Sequence, residues 1–303
     1  MILDEINEEL ELRKAVFSHL KLLTAHSPSG VVPSSTINSF EFRGRRISLI
    51  VQSGIRKLLG SSAALTIRTT FTPPSELPPY IDDTDDDGMI HYKYRGTDPQ
   101  HSDNRALRMA MDEGLPLAYF YGIGKGLYLP IFPVYLLQEI PERHEFVVGF
   151  ESSLSSANPI FKESLERNYV DRLTKTRMHQ PVFRARVLHA YDTSCAICRL
   201  RHSELLDAAH IIPDGHVRGE PVVPNGIALC KIHHAAFDHN LVGIRPDGII
   251  EVQHRLLQET DGPMLLHGIQ EIAGTKIHLP KERAARPDQD RLAERFEEFK
   301  RAS

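Results

Sequence analysis

Two tight pairs of soft metal-ligand side chains, Cys195-x-x-Cys198 and Cys230-x-x-His233, constrain this chain more than any other feature of its sequence. Each pair is spaced so that one tight turn can present both side chains to a single ion. With 31 residues between the pairs, this is the spacing of a structural four-coordinate zinc site. The cysteine total points the same way: an odd count of three suits metal ligation better than a disulfide framework.

At 303 residues the chain is long enough for two domains, each with its own core. With 25% charged and 41% hydrophobic residues, the composition is that of a soluble globular protein. No stretch approaches the roughly 18 apolar residues that suggest a membrane span. The opening MILDEINEELELRK is acidic and helical in pattern and lacks the basic and apolar regions of a secretory signal, so a cytoplasmic location is expected, with no membrane partner. The formal net charge of −4 argues against a nucleic-acid partner until its distribution is considered. From Ile160 to His202 nine Lys and Arg face four acids, whereas Asp82, Asp83, Asp85, Asp86, Asp87 and both chain ends carry the negative charge. A basic segment is more often a solvated helix face than a binding surface, but this one leads directly into the Cys/His cluster.

Leu3, Ile6, Leu10, Phe17 and Leu20 recur at helical spacing and predict an amphipathic helix over about 3–24, within an N-terminal helical segment 1–30. Short β-type runs follow, at 46–52, 64–71, 89–94, 117–121, 127–137 and 145–150, with one helix at 103–113; this pattern predicts a compact β-barrel-like domain over 31–155. A Ser-rich stretch near 152–159 reads as a linker, and helices at about 160–178 and 181–191 make a basic connecting segment over 156–190. In it Arg172, Lys175, Arg177, Arg184 and Arg186 are the expected contacts to a DNA backbone. The remainder, 191–303, forms the C-terminal domain.

Between the two ligand pairs lie Asp207-Ala-Ala-His210-Ile-Ile-Pro213 and Asn225-Gly-Ile-Ala-Leu-Cys230, then His233-His234-Ala-Ala-Phe-Asp238. Over roughly 190–250 these strings resemble the HNH nuclease family. The resemblance implies a two-stranded hairpin followed by a helix, a zinc-stabilised ββα-metal domain that holds a catalytic Mg²⁺ or Mn²⁺. By position, His210 corresponds to the general base, and a neutral imidazole near pH 7 suits that task. Asn225 corresponds to the middle residue, which either pins the loop that orients the base or lies near the metal. His234 corresponds to the last histidine and ligates the ion, with Asp238 one helical turn later as a second ligand. Many family members carry a further ligand immediately before the base, where this chain has Ala209; either the ion uses only His234, Asp238 and waters, or Asp207 or His239 substitutes, or the site is impaired.

In the N-terminal half, Tyr80, the Asp run, Tyr92-Lys-Tyr94-Arg95-Gly96 and Asn104-Arg105-Ala106-Leu107 together resemble the SET- and RING-associated (SRA/YDG) fold, a PUA-like β-barrel with flanking helices that binds modified cytosine, over roughly 40–150. A base flipped out of its stack is sandwiched between rings and read at its Watson–Crick edge. Tyr80 and Tyr94 are the candidate rings, Asp83 is the candidate acceptor for the cytosine amine, and Arg95 stands where the family commonly has Thr. Otherwise Tyr92 and Tyr94 are core residues of a strand and the Asp run is a solvated loop. A non-catalytic reader with a structural zinc, or a nuclease for unmodified sequence, are the competing expectations.

The expected whole is an α+β protein: a restriction endonuclease of type IV/IIM kind that cuts double-stranded DNA carrying 5-methyl- or 5-hydroxymethylcytosine. Cutting two strands with one site per chain makes a homodimer the expected assembly. Its candidate contacts are the first helix and the stripe Leu292, Phe296, Phe299, either of which is equally explained by packing within one chain. The segment 249–279 carries no readable motif.

Overall fold

Helix α1 (Ile2–Ala25) brings Leu12, Val16 and Leu20 onto one face at four-residue spacing, and all three are buried. A computed structural model describes residues 2–27, 29–57, 62–71, 90–150 and 179–302, with side chains from residue 8 onward. The chain divides into two compact units, 1–182 and 183–303. The buried face of α1 differs from the expected stripe, since Leu10 is 38% exposed. Arg13 explains the rotation: it enters the core, donating to the carbonyls of Pro116 (2.7 Å) and Ala64 (2.9 Å) and pairing with Glu9. The same cluster holds Ile37, Leu49, Leu65, Ala118 and Phe120, so α1 shares its core with the sheet rather than standing as a segment of its own.

That sheet runs in the order β4 (Ile55–Lys57), β5 (Ala64–Arg68), β7 (Leu117–Gly124), β8 (Leu127–Ile140), β9 (Glu145–Gly149), β6 (Ile90–Lys93), with β1 (Val32–Pro33) also on β8. Only β5 and β7 are parallel. The fourteen-residue β8 pairs with β7 along its first half and with β9 along its second, with a register shift between Leu136 and Gln138. One strand shared in this way curls the sheet. Among the described residues β4 and β6 end the path without pairing, and the strands form a curled sheet.

The strand expected at 46–52 is also absent. Only β2 (Glu41–Phe42) and β3 (Arg45–Arg46) form a two-residue ladder there. The Asn38 amide takes the place of a neighbouring strand, accepting from Ile50 N–H (2.8 Å) and donating to Ile50 C=O (3.1 Å). The stretch thereby acquires the burial of Leu49 without β pairing. Helix α2 (Ser34–Ile37) is a single turn, and α3 (Ser102–Asp112) buries Ala106, Leu107 and Ala110.

In the second unit α4 (Gln180–Ala190) packs Phe183, Val187 and Leu188 against an antiparallel hairpin, β10 (Leu206–His210) and β11 (Gly226–Cys230), which α5 (Lys231–Asp238) follows directly. A second hairpin, β12 (Val242–Ile244) with β13 (Ile250–Val252), and the C-terminal helix α6 (Gln289–Ala302) complete the core. Phe299 stacks on Phe296 and lies against Gly243. The Leu292/Phe299 stripe is therefore consumed within the unit. Among the described residues no helix is long and apolar enough to cross a membrane.

Candidate active site and metal centre

The Cys195-x-x-Cys198 turn is closed by Arg199 N–H on Cys195 C=O (3.0 Å), with Arg199 in the left-handed region at φ 61°. Cys230 ends β11, and His233 lies in the first turn of α5. All four donor atoms fall within 4.8 Å of one another. Tetrahedral bonds of about 2.3 Å to sulfur and 2.0–2.1 Å to nitrogen place donors about 3.5–3.8 Å apart. The separations here are 3.9 Å for Cys198–Cys230, 3.5 Å for Cys195–His233 Nδ1 and 3.2 Å for Cys230–His233 Nδ1, so this donor set fits zinc. The Gly268 carbonyl, 2.7 Å from His233 Nε2, fixes the ring with Nδ1 towards the sulfurs. Hydrogen bonds with Cys198 and Cys230, and then His233, pull the Cys195 thiol down towards the thiolate a metal requires.

On the same hairpin His210 ends β10 opposite Gly226. Phe183 of α4 stacks on its ring at 4.1 Å, and its Nε2 is enclosed with no hydrogen-bond partner. Burial holds the imidazole below its ordinary range; Asp214 and Asp238 oppose that shift and His234 assists it. That shift favours the neutral form of His210. Asn225 is fully buried, and its hydrogen bonds are those of the loop-pinning alternative. Its Oδ1 accepts from Ile212 N–H (2.9 Å), and its Nδ2 donates to Ile212 C=O (3.0 Å) and Glu220 C=O (3.1 Å), pinning the loop that follows His210.

A cavity of about 380 Å³ is lined by His210, Asp214, His234, Asp238, Arg295 and Glu298, among others. His234 Nε2 lies 3.2 Å from Asp238 Oδ2, a spacing at which one divalent ion can take both atoms as ligands. His234 Nδ1 faces Asp207 at 3.5 Å. Burial would raise Asp207, but hydrogen bonds from Lys231 and His234 hold it below the usual carboxylate range. Ala209 is wholly buried in the core. Of its two substitutes, Asp207 lies against His234, whereas His239 is exposed and outside the cavity lining. Arg295 is a residue that sequence reasoning missed. It reaches from α6 to the carbonyls of Phe237 (2.6 Å) and Asp238 (3.4 Å) at the end of α5. Phe183 and Gly268 were missed as well, and a supporting ring or a bare carbonyl leaves no motif to find.

Arg184, expected on a DNA backbone, donates to the carbonyls of Ser203 (2.7 Å) and Leu206 (2.9 Å) and lies 3.8 Å from Asp207, so it braces the hairpin. Arg186 is half-buried on the same helix. Arg172, Lys175 and Arg177 lie outside the described residues, as do Tyr80, Asp83 and the expected helix at 160–178.

In the first unit Arg95 and Tyr94 border a second cavity, of about 310 Å³, together with Gly54, Arg68, Tyr92 and Lys93. Tyr94 is 3% exposed, donates to Glu139 and packs against His144 and Phe146. Burial, followed by Glu139, pushes its phenol up to about 12. Its ring is a core wall of the cavity rather than the free stacking face expected. Arg95 pairs with Asp103 at 2.5 Å, and the Asn104 amide holds its backbone by accepting from Arg95 N–H (2.9 Å) and donating to Arg95 C=O (3.2 Å).

A two-stranded hairpin, an adjoining helix and a Cys₃His cluster thus stand beside a cleft lined by His210, His234 and Asp238. The HNH endonuclease family model matches residues 195–245, the stretch that holds all of these residues. Among solved structures, a modification dependent TagI restriction endonuclease is similar at 16% identity, over 80% of this chain and 84% of that chain, with a TM-score of 0.29. No curated protein matches the chain.

Proposed function

We propose that this protein is a metal-dependent DNA endonuclease directed to duplexes containing modified cytosine, acting in the cytoplasm as a homodimer. One observation carries the nuclease reading: a neutral His210 with an unbonded Nε2 shares a cleft with the His234–Asp238 pair. His210 takes the proton from the water that attacks phosphorus, and Phe183 and the Asn225-pinned loop keep its ring in place. His234 and Asp238 would hold Mg²⁺ or Mn²⁺, whose charge polarises the scissile phosphate and stabilises the leaving oxygen. Asp207 orients His234 through its other nitrogen. Cys195, Cys198, Cys230 and His233 would hold zinc, which ties the start of the unit to the hairpin and α5. The cavity beside Arg95 supports the modified-cytosine reading.

The burial of Ala209 favours a second reading, in which the cleft keeps too few ligands and the protein only binds modified DNA. Cleavage of matched plain, 5-methylcytosine and 5-hydroxymethylcytosine duplexes with Mg²⁺ or Mn²⁺ separates these possibilities. Cutting confined to modified duplexes, falling by about 10²–10⁴-fold in His210→Ala with zinc content unchanged, is the expected result. Equal cutting of all three duplexes removes the modified-cytosine reading. Binding without cutting leaves the second reading, and wild-type cutting by His210→Ala removes His210 as the base.

A further inference from the structure

We propose that the cavity of the first unit is a receptor for an oxyanion carried by a DNA nucleotide, either a carboxylate on the cytosine ring or the phosphate beside it. This rests on the reading that the first unit contacts DNA, and it narrows the ligand from modified cytosine in general to an anionic group. The wall of the cavity carries three cations, Arg68, Lys93 and Arg95, and none of the described residues that line it is acidic. Donors without acceptors complement a group that only accepts, and a carboxylate or phosphate is the strongest of these.

Arg68 supplies the sharpest observation. Its Nη1 donates to the Tyr128 hydroxyl (2.8 Å) and its Nη2 to Gln52 C=O (3.0 Å), both neutral groups, so the guanidinium is held in place without its charge being met. Its Nε is enclosed and has no partner, and no carboxylate pairs with it among the described residues. An enclosed cationic N–H is a group a ligand can satisfy.

Among the described residues the counter-charges of the other cations lie behind the wall of the cavity and are shared. Asp103 and Glu145 are buried behind the wall, with side chains 5% and 2% exposed. Asp103 is shared by Lys57 (3.1 Å) and Arg95 (2.5 Å), and Glu145 by Lys93 and Arg143 (3.4 Å), with His91 at 2.8 Å as well. Among the described residues Asp103 is thus shared by two cations and no carboxylate pairs with Arg68. Lys93 and Arg95 remain 31% and 47% exposed, so their charge reaches the cavity. A methyl or hydroxymethyl group brings nothing to offset this excess, whereas a carboxylate does.

The test is binding of the full-length zinc-loaded protein, with no Mg²⁺ or Mn²⁺ added so that no strand is cut. The probes are fluorescent duplexes carrying plain, 5-methyl-, 5-hydroxymethyl- or 5-carboxylcytosine. For a ring carboxylate, the 5-carboxyl duplex binds at least about tenfold tighter than the 5-hydroxymethyl one, and Arg68→Gln brings that ratio to about one. For a backbone phosphate, all four bind alike, and Arg68→Gln weakens them equally while lowering the salt slope by about one. Arg95→Gln, at a more exposed position, repeats the measurement should Arg68→Gln not fold. Affinities and salt slopes left unchanged by both variants would overturn the proposal. Discrimination between marks that survives both variants overturns it while leaving a modified-cytosine reader in place. Equal binding that still depends on Arg68 removes the reader and keeps the oxyanion site.

Discussion

Asn225 directs all three of its side-chain hydrogen bonds to the loop that follows the base, and it does not line the catalytic cleft. Its residue type suits two roles equally, and its hydrogen-bond partners favour the loop-pinning one. Asn225→Ala strands Ile212 N–H, Ile212 C=O and Glu220 C=O in a buried setting, and should cost about 2–4 kcal/mol in denaturant unfolding together with most of the cleavage. A variant that unfolds like the wild type but does not cut would instead place the amide in the chemistry. Glu139 gives a pH-dependent counterpart. Hydrogen bonds from Arg108, at 2.7 Å and 2.5 Å, and from Tyr94 hold its carboxyl below the usual range against burial. A depressed carboxylate contributes stability that is fully present above its unfolded pKa of about 4.3 and is lost as pH falls through the lower native value. Glu139→Gln should therefore destabilise the first unit at pH 7, with that effect shrinking progressively as pH falls below the unfolded value of about 4.3, read from thermal unfolding across the range. A difference that stays constant with pH would contradict the assignment.

At the scale of elements, the Asn225-Gly226 step does more than open a strand. A Cβ on Gly226 would lie 2.4 Å from Val187 Cγ2 and 2.8 Å from Phe183 Cζ, so the missing side chain is what lets α4 pack on the hairpin and Phe183 reach His210. Gly226→Ala should cost about 1–3 kcal/mol by overpacking. It should also lower kcat through the displaced Phe183 even where the protein remains fully folded; wild-type kcat in a folded variant would mean that the ring stack does not position the base. The hairpin and α5 were legible because ligand spacing and the NG step are local signals. The strand at 46–52 was misread because a buried Leu49 in an apolar run has the β pattern, while Asn38 satisfies the backbone there from a distance in sequence. The stripe on α1 was displaced for a similar reason, since carbonyls of Ala64 and Pro116 draw Arg13 inside.

For the whole molecule, two compact units with a Cys₃His set in the second predict separable responses to metal removal. Structural zinc contributes about 10–16 kcal/mol in small domains, as much as or more than a typical domain's net stability of about 5–15 kcal/mol. A strong chelator should therefore abolish the thermal transition of the second unit and leave that of the first; two unchanged transitions would mean the cluster does not hold a stabilising ion. The sequence by itself determined the metal knot, the hairpin and helix around His210, His234 and Asp238, and the α+β character of the chain, because each is written in residue types at short, fixed spacings. Tertiary structure alone decided that Gly268 C=O holds His233, that Arg295 braces the end of α5, that Asp207 rather than His239 reaches His234, and that Tyr94 is a packed wall beside an uncompensated Arg68. Each of those is a contact between groups far apart in sequence, several made by backbone carbonyls, which every residue possesses and which no pattern of side chains can announce.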